Sequence, residues 1–189
     1  MVPKNAFITI EGLSGTGKTT VAKLLARRLD ARYYKTPPVM FLPIRATVDR
    51  SAAPLARHLY YYAGIAQASE EIRVILRRRP VVCDKYVATM LAYSRAGGII
   101  AETPAANLIL QPDLAVLLDV PDEVRLCRIS LRGRISRTHR AFLEMEKGLN
   151  VVALYRQPGV VTVDNRMPDA TLTVDTILRH LEDKQQHLR

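Results

Sequence analysis

The sequence predicts an α/β protein: one domain with a five-stranded parallel sheet, helices on both faces, and a short arginine-rich lid near residues 132–140. Three observations carry that prediction. Short β-branched or apolar runs alternate with segments whose apolar residues recur at helical spacing. One of those runs, Leu114 to Val120, is continuously apolar, as in a strand covered on both faces of a parallel sheet. A glycine-rich octapeptide also sits at the junction of the first strand and the first helix.

The elements follow in order. Phe7 to Ile10 is a short β-branched strand, broken by Gly12. Lys18 to Leu29 places Val21, Leu24, Leu25 and Leu29 on one helical face. Arg32 to Tyr34 is a second strand, ended by Pro37 and Pro38. Arg45 and Arg50 lie in the loop that faces the expected pocket. Pro54 suits the first turn of a long helix with Leu55, Leu59, Tyr62, Ala66, Ile72 and Ile75 on its apolar side. Arg77 to Pro80 stops it, and Val81 to Cys83 is a third strand ending in Asp84. Tyr86 to Arg95 reads as a helix closed by Gly97 and Gly98. After the Leu114 strand, Asp122 is placed as the cap of a helix to Leu131. A helix from Ala141 to Gln157, a strand from Val160 to Val163 and an amphipathic helix opened by Pro168 complete the chain. Strands separated by helices imply right-handed crossovers and a doubly wound sheet.

Composition narrows the function classes. The 189 residues include 28 Lys+Arg against 18 Asp+Glu, a formal charge of +10, and are 48% apolar. An apolar share that large supports a buried core and excludes disorder for the bulk. No stretch approaches the ~20 apolar residues of a membrane span. Met1 to Asn5 lacks the apolar core of a signal peptide. Cys83 and Cys127 lie in apolar segments without metal-ligand spacing, so both are expected to be reduced core thiols of a cytoplasmic protein. The positive excess points to nucleic acid, an anionic membrane or a small anion. No helix-turn-helix, RNA-recognition or zinc signature supports nucleic acid, and the arginines concentrate where a phosphate site is expected.

Gly12-Leu13-Ser14-Gly15-Thr16-Gly17-Lys18-Thr19 matches the phosphate-binding P-loop pattern, with a strand before it and a helix after it. Glycines let backbone N–H groups turn inward around phosphate oxygens, and the helix beginning near Lys18 adds its positive dipole end. ATP is therefore expected on Gly12, Ser14, Gly15, Thr16, Gly17, Lys18, Thr19 and Thr20. Lys18 reaches the β/γ-phosphates and Thr19 holds Mg²⁺. Asp84, at the end of the third strand, is the expected acid near the metal, with Asp119 as its rival. Glu11, directly before the loop, is a candidate to order the acceptor or a metal-bound water.

Six arginines (125, 128, 132, 134, 137 and 140) fall between residues 125 and 140 with no acid among residues 125–140. A charge run is commonly a solvated helix face. Here Arg128 and Arg132 share one face, and Gly133 then breaks the helix, leaving Arg134 and Arg137 on a loop able to close over a triphosphate. Arg128 and Arg132 are read as ATP-binding, and Arg134 and Arg137 as catalytic.

At this point the chain resembles the thymidylate kinase family of P-loop nucleoside monophosphate kinases. The resemblance runs collinearly through Phe7 to Thr20, Ile44-Arg45, Ala66 to Leu76, Val81 to Tyr86, Leu91-Ala92-Tyr93, Pro112 to Leu114, Leu118 to Pro121 and Arg132-Gly133-Arg134. It implies transfer of the γ-phosphoryl of ATP to a nucleotide 5′-phosphate with Mg²⁺, and a homodimer built through the helix at residues 55–76. The departures fall on the acceptor side. Ser14 stands where the family has Asp, Lys85 where it has Arg, Gly64-Ile65 where it has Asp-Arg, and Ser94 where it has Gln. Lys replaces Arg again at Lys35. Lysine pairs with phosphate as a point charge but lacks the bidentate fork. Lys35, Arg45, Lys85, Tyr86 and Tyr93 are the expected acceptor contacts, the tyrosines by stacking, whereas Tyr60 to Tyr62 read as core and dimer surface. The donor site is intact and the acceptor pocket rewritten, so the expected acceptor is a nucleoside monophosphate or a similar small molecule. A nucleoside, a modified nucleoside or another hydroxyl acceptor is the alternative, and an ATPase or switch lacking a small acceptor a further one.

Overall fold

A computed structural model describes residues 5–100, 102, 107–131, 151–155 and 159–186. The elements are β1 (Phe7–Glu11), α1 (Lys18–Arg28), β2 (Arg32–Lys35), α2 (Leu42–Ser51), α3 (Pro54–Leu76), β3 (Val81–Asp84), α4 (Val87–Ala96), β4 (Leu114–Asp119), α5 (Asp122–Ser130), α6 (Val151–Tyr155), β5 (Val160–Asp164) and α7 (Ala170–Gln186). A single 3₁₀ turn, Val39–Phe41, leads into α2. All five strands are parallel in the order β2-β3-β1-β4-β5, as the alternation of strands and helices predicts.

Alternation along β1 divides the core. Ile8 and Ile10 face α1 and α7, where Val21, Leu25, Val174, Ile177 and Leu181 are buried with them. Phe7 packs on the opposite face with Ile65, Ala68 and Ile72 of α3 and with Val87 and Leu91 of α4. Both faces of the strand are thus dry, which is why it reads as a near-continuous apolar run. Burying each such Ile, Leu or Phe contributes about 1.5–3 kcal/mol. With Ile10 opposite Asp84 on β3, and Glu11 opposite Leu117 on β4, the loop after β1 emerges at the centre of the carboxyl edge of the sheet.

Four readings of the sequence are corrected. Residues 42–51 form α2 rather than a loop. Leu42 and Ile44 of this segment are exposed, as are Val39 and Met40 of the turn before it, so no core-facing periodicity announces the helix. Cys127 is exposed, although Cys83 is a buried free thiol. Asp122 does not cap α5; it occupies the first helical position after Pro121 and pairs with Arg125 at 2.6 Å. The last helix begins at Ala170, two residues beyond Pro168, where the Asp169 carboxylate accepts from Thr171 N at 2.9 Å. The lid at 132–140, with Arg132, Arg134 and Arg137, and most of the expected 141–157 helix lie outside the described residues.

Candidate active site

The P-loop closes on itself and on its surroundings. Lys18 is buried, and its Nζ lies over the loop, donating to the Leu13 carbonyl and approaching Thr16 Oγ1 at 3.5 Å. Thr16 Oγ1 donates to Leu13 O at 2.9 Å. Three braces that no sequence pattern announced hold the loop's carbonyls from outside. Asn165, just after β5, donates from Nδ2 to Thr16 O at 2.7 Å and accepts from Thr173 Oγ1 at 2.6 Å. Tyr155 of α6, fully buried, donates to Gly12 O at 3.2 Å. Arg125 is 2% exposed and donates to Ser14 O at 3.4 Å, so it supports the loop from α5 and is not part of a mobile arginine face. Arg128, on the next turn, donates to the carbonyls of Asn165, Arg166 and Met167 at 2.9–3.1 Å. That ties α5 to the β5–α7 connection beside the loop.

Thr19 and Asp84 meet, as the motif requires. Thr19 Oγ1 lies 2.6 Å from Asp84 Oδ2, which also accepts from Tyr33 Oη at 3.0 Å. The other carboxylate oxygen, Oδ1, is buried and has no hydrogen-bond partner among the described residues. A hydroxyl and a buried, under-used carboxylate at the end of the phosphate loop suit Mg²⁺, which takes one or two protein oxygens and completes its shell from substrate phosphate and water. Asp119 ends β4 two strands away from β3, and its carbonyl accepts from Asn165 N at 3.0 Å.

Glu11 is buried and turned toward α4. Its Oε2 accepts from Tyr86 N at 3.2 Å, from Thr89 N at 3.1 Å and from the Thr89 hydroxyl, so it caps the amino end of that helix. Burial raises its pKa above the ordinary carboxylate value, against the lowering effect of those hydrogen bonds. Between the ordinary value and the raised one, the folded state keeps a proton that the unfolded chain has released. Stability therefore falls as pH rises through that window. Glu11→Gln is expected to abolish this slope, read as denaturant unfolding free energy across pH; an unchanged slope would mean that Glu11 is ionised throughout.

Beside the loop, α2, α3 and α4 enclose a cleft of about 440 Å³. Arg45, Lys85 and Tyr93, three of the expected acceptor contacts, line it, and so does Ser14, which was expected on the ATP side. Two expected residues do not fit their assigned roles. Lys35 is exposed and outside the lining, because strand alternation puts it on the same face as Tyr33, toward α1, while Tyr34 turns toward α3 and donates to Glu71 at 2.7 Å. Tyr86 borders the cleft, but its ring is 1% exposed and packs edge-to-face with Phe7 at 5.1 Å, so it is a core ring rather than a stacking platform. Arg57, His58, Asp49 and Tyr61 line the cleft without having been singled out for it. Tyr61 donates to Asp49 Oδ1, and Arg45 pairs with Asp49 Oδ2 at 3.4 Å, so the buried carboxylate is held from both sides. Arg50 of the same helix is exposed.

The Thymidylate kinase family model matches residues 10–176 of this chain. The chain belongs to the thymidylate kinase family. Two curated thymidylate kinases illustrate the distance. The one from Xanthomonas campestris pv. campestris is 28% identical over 95% of this chain and 82% of its own length. The one from Pseudomonas fluorescens is 36% identical over 69% of this chain and 71% of its own. The solved thymidylate kinase of Candida albicans superposes with a TM-score of 0.74 at 19% identity, covering 97% of this chain and 94% of that one, which shows the shared fold. As a member of this family, the protein is an ATP-dependent nucleotide kinase, a phosphotransferase.

At Gly64 a Cβ would lie 3.4 Å from Pro37 Cβ and 3.7 Å from the Phe41 ring, so the Pro37–Phe41 turn occupies the space over this part of the helix. The cleft's α3 guanidinium comes from Arg57, seven residues earlier and two turns along the same helix.

Proposed function

We propose that the acceptor is a nucleoside monophosphate bound in the α2–α3–α4 cleft, beside ATP and Mg²⁺ at the P-loop. One observation carries this: Arg45, Arg57 and Lys85 line a cleft whose only carboxylate among the lining residues, Asp49, is already paired with Arg45. A surplus of cations suits a phosphate dianion better than an uncharged nucleoside. An acceptor phosphate oxygen attacks the γ-phosphorus in line as the bond to the β–γ bridging oxygen breaks, and no covalent enzyme intermediate forms. Lys18 and the loop amides hold the donor phosphates. Thr19 and Asp84 hold Mg²⁺, which when bound neutralises charge on the β- and γ-oxygens. Arg134 and Arg137 neutralise the transferring group, and Arg132 assists in binding ATP. Leu55 and Leu59, one turn apart on α3, are each 57% exposed, an apolar surface that supports a homodimer through this helix. The reduced, buried Cys83 and the nucleotide substrates suit the cytoplasm.

The test is ATP-dependent ADP release with a panel of nucleosides and their monophosphates. Monophosphates are expected to accelerate release and nucleosides to leave it at the level of ATP alone; the reverse pattern overturns the proposal. Lys85→Ala is expected to raise the acceptor KM by about 10-fold and to leave the ATP KM unchanged, since only the acceptor end loses a charge-assisted contact.

A further inference from the structure

Among the described residues, Lys85 and Asp30 are the non-glycine positions with positive φ, at +73° and +48°. Aspartate tolerates the left-handed region, but a lysine there is uncommon and persists only where its surroundings over-determine it. Three contacts do so at Lys85. Its amide donates to Ile10 O at 3.1 Å, and its carbonyl accepts from Thr36 Oγ1 and from the Cys83 thiol, each at 3.0 Å. A thiol is a weak donor, so the Thr36 hydroxyl is the stronger hold on that carbonyl.

Thr36 also holds the residue before. Its amide donates to Asp84 O at 3.4 Å, just beyond the point where Lys35 stands opposite Asp84 in the β2–β3 register. These two neighbours serve different sides of the site. Asp84 meets Thr19 beside the P-loop, whereas Lys85 lines the acceptor cleft, as Thr36 itself does. One buried threonine therefore grips the carbonyl of a donor-side residue and the carbonyl of an acceptor-side residue. In-line transfer depends on how those two sides are set against each other.

We propose that Thr36 is a positioning residue, whose hydroxyl fixes the left-handed turn that places Lys85 for the acceptor phosphate. This rests on the cleft being the monophosphate site.

The test is a double-mutant cycle between Thr36 and Lys85, with dTMP, UMP, CMP, AMP and GMP as acceptors and the one of highest kcat/KM carrying the cycle. Thr36→Val and Thr36→Ala, which both remove the donor, are expected to raise the acceptor KM by about 3- to 10-fold, the scale of one hydrogen bond, with the ATP KM unchanged. Thr36→Ser keeps the donor and is expected to restore the KM. Added to Lys85→Ala, either substitution should change the acceptor KM by less than about 2-fold, because no ammonium remains to misplace. Lys85→Gly, which adopts a positive φ freely, is expected to melt about 2–4 °C above Lys85→Ala. An acceptor KM unchanged without the hydroxyl, an equal loss with and without the ammonium, or a glycine variant no more stable than the alanine one overturns the assignment while leaving the monophosphate site standing. If no monophosphate is turned over, or Lys85→Ala leaves the acceptor KM where it was, the site itself is rejected and Thr36's role with it.

Discussion

Asp84→Asn is expected to lower kcat by about 10²–10³-fold while the protein stays folded, the scale of losing one preorganised electrostatic group at a reacting centre. The substitution keeps an oxygen acceptor for the Tyr33 and Thr19 hydroxyls, at present 3.0 and 2.6 Å from Oδ2, so the local packing has no reason to open. Tyr33 also remains a donor, because burial, with the Asp84 carboxylate beside it, pushes its pKa far up. What disappears is negative charge on a side chain 1% exposed, one of whose oxygens has no partner among the described residues. Loss of turnover should therefore accompany a weaker dependence of ATP affinity on Mg²⁺, measured by calorimetry with and without the ion. Affinity for ATP alone should hold or rise slightly, since a carboxylate near the phosphates has been neutralised. Unchanged turnover would remove Asp84 from the metal site and return Asp119 to consideration.

Legibility in the sequence followed the range of the interaction. The P-loop is contiguous, its chemistry depends on backbone amides and on Lys18 and Thr19, and a string of eight residues states it. The strands were readable because β1, β3 and β4 are covered on both faces and so keep apolar runs. α2 was not, because its apolar residues point outward. The cleft was half legible: Arg45 and Lys85 stand in recognisable segments, but Arg57, His58 and Tyr61 become neighbours of Ser94 and Asp49 only once α3 packs against α4 and α2. Asn165 and Tyr155 show a different limit. Their partners are the carbonyls of Thr16 and Gly12, which every residue type offers, so no complementary pair of side chains could betray the contact. Lys35 was misplaced by one position of strand alternation, enough to move it to the other face of the sheet.

Gly15→Ala is expected to cost roughly 2–5 kcal/mol of stability, through a left-handed backbone penalty together with overpacking. That is a large share of the ~5–15 kcal/mol that holds a domain together. Gly15 has φ +86°, and a Cβ there would stand 2.5 Å from the backbone oxygen of Arg125 and 2.9 Å from Ile129 Cδ1. A side chain could swing aside, but the Arg125 carbonyl belongs to α5, whose Arg125 and Arg128 side chains also support the loop and the β5–α7 connection. The P-loop must therefore move away from α5, and a displacement of about 1 Å in a phosphate cradle costs about 10²-fold in kcat/KM. Gly98 supplies the control. Its φ is +81°, nearly the same, yet a Cβ there meets nothing within 4 Å among the described residues. Gly98→Ala should carry only the backbone penalty, about 1–2 kcal/mol, and leave kcat/KM for ATP as it was. Thermal unfolding and steady-state kinetics on the two variants separate strain from collision. Equal losses of stability in both, with ATP kinetics intact in Gly15→Ala, would show that the loop is free to shift relative to α5 and that Arg125 does not hold it.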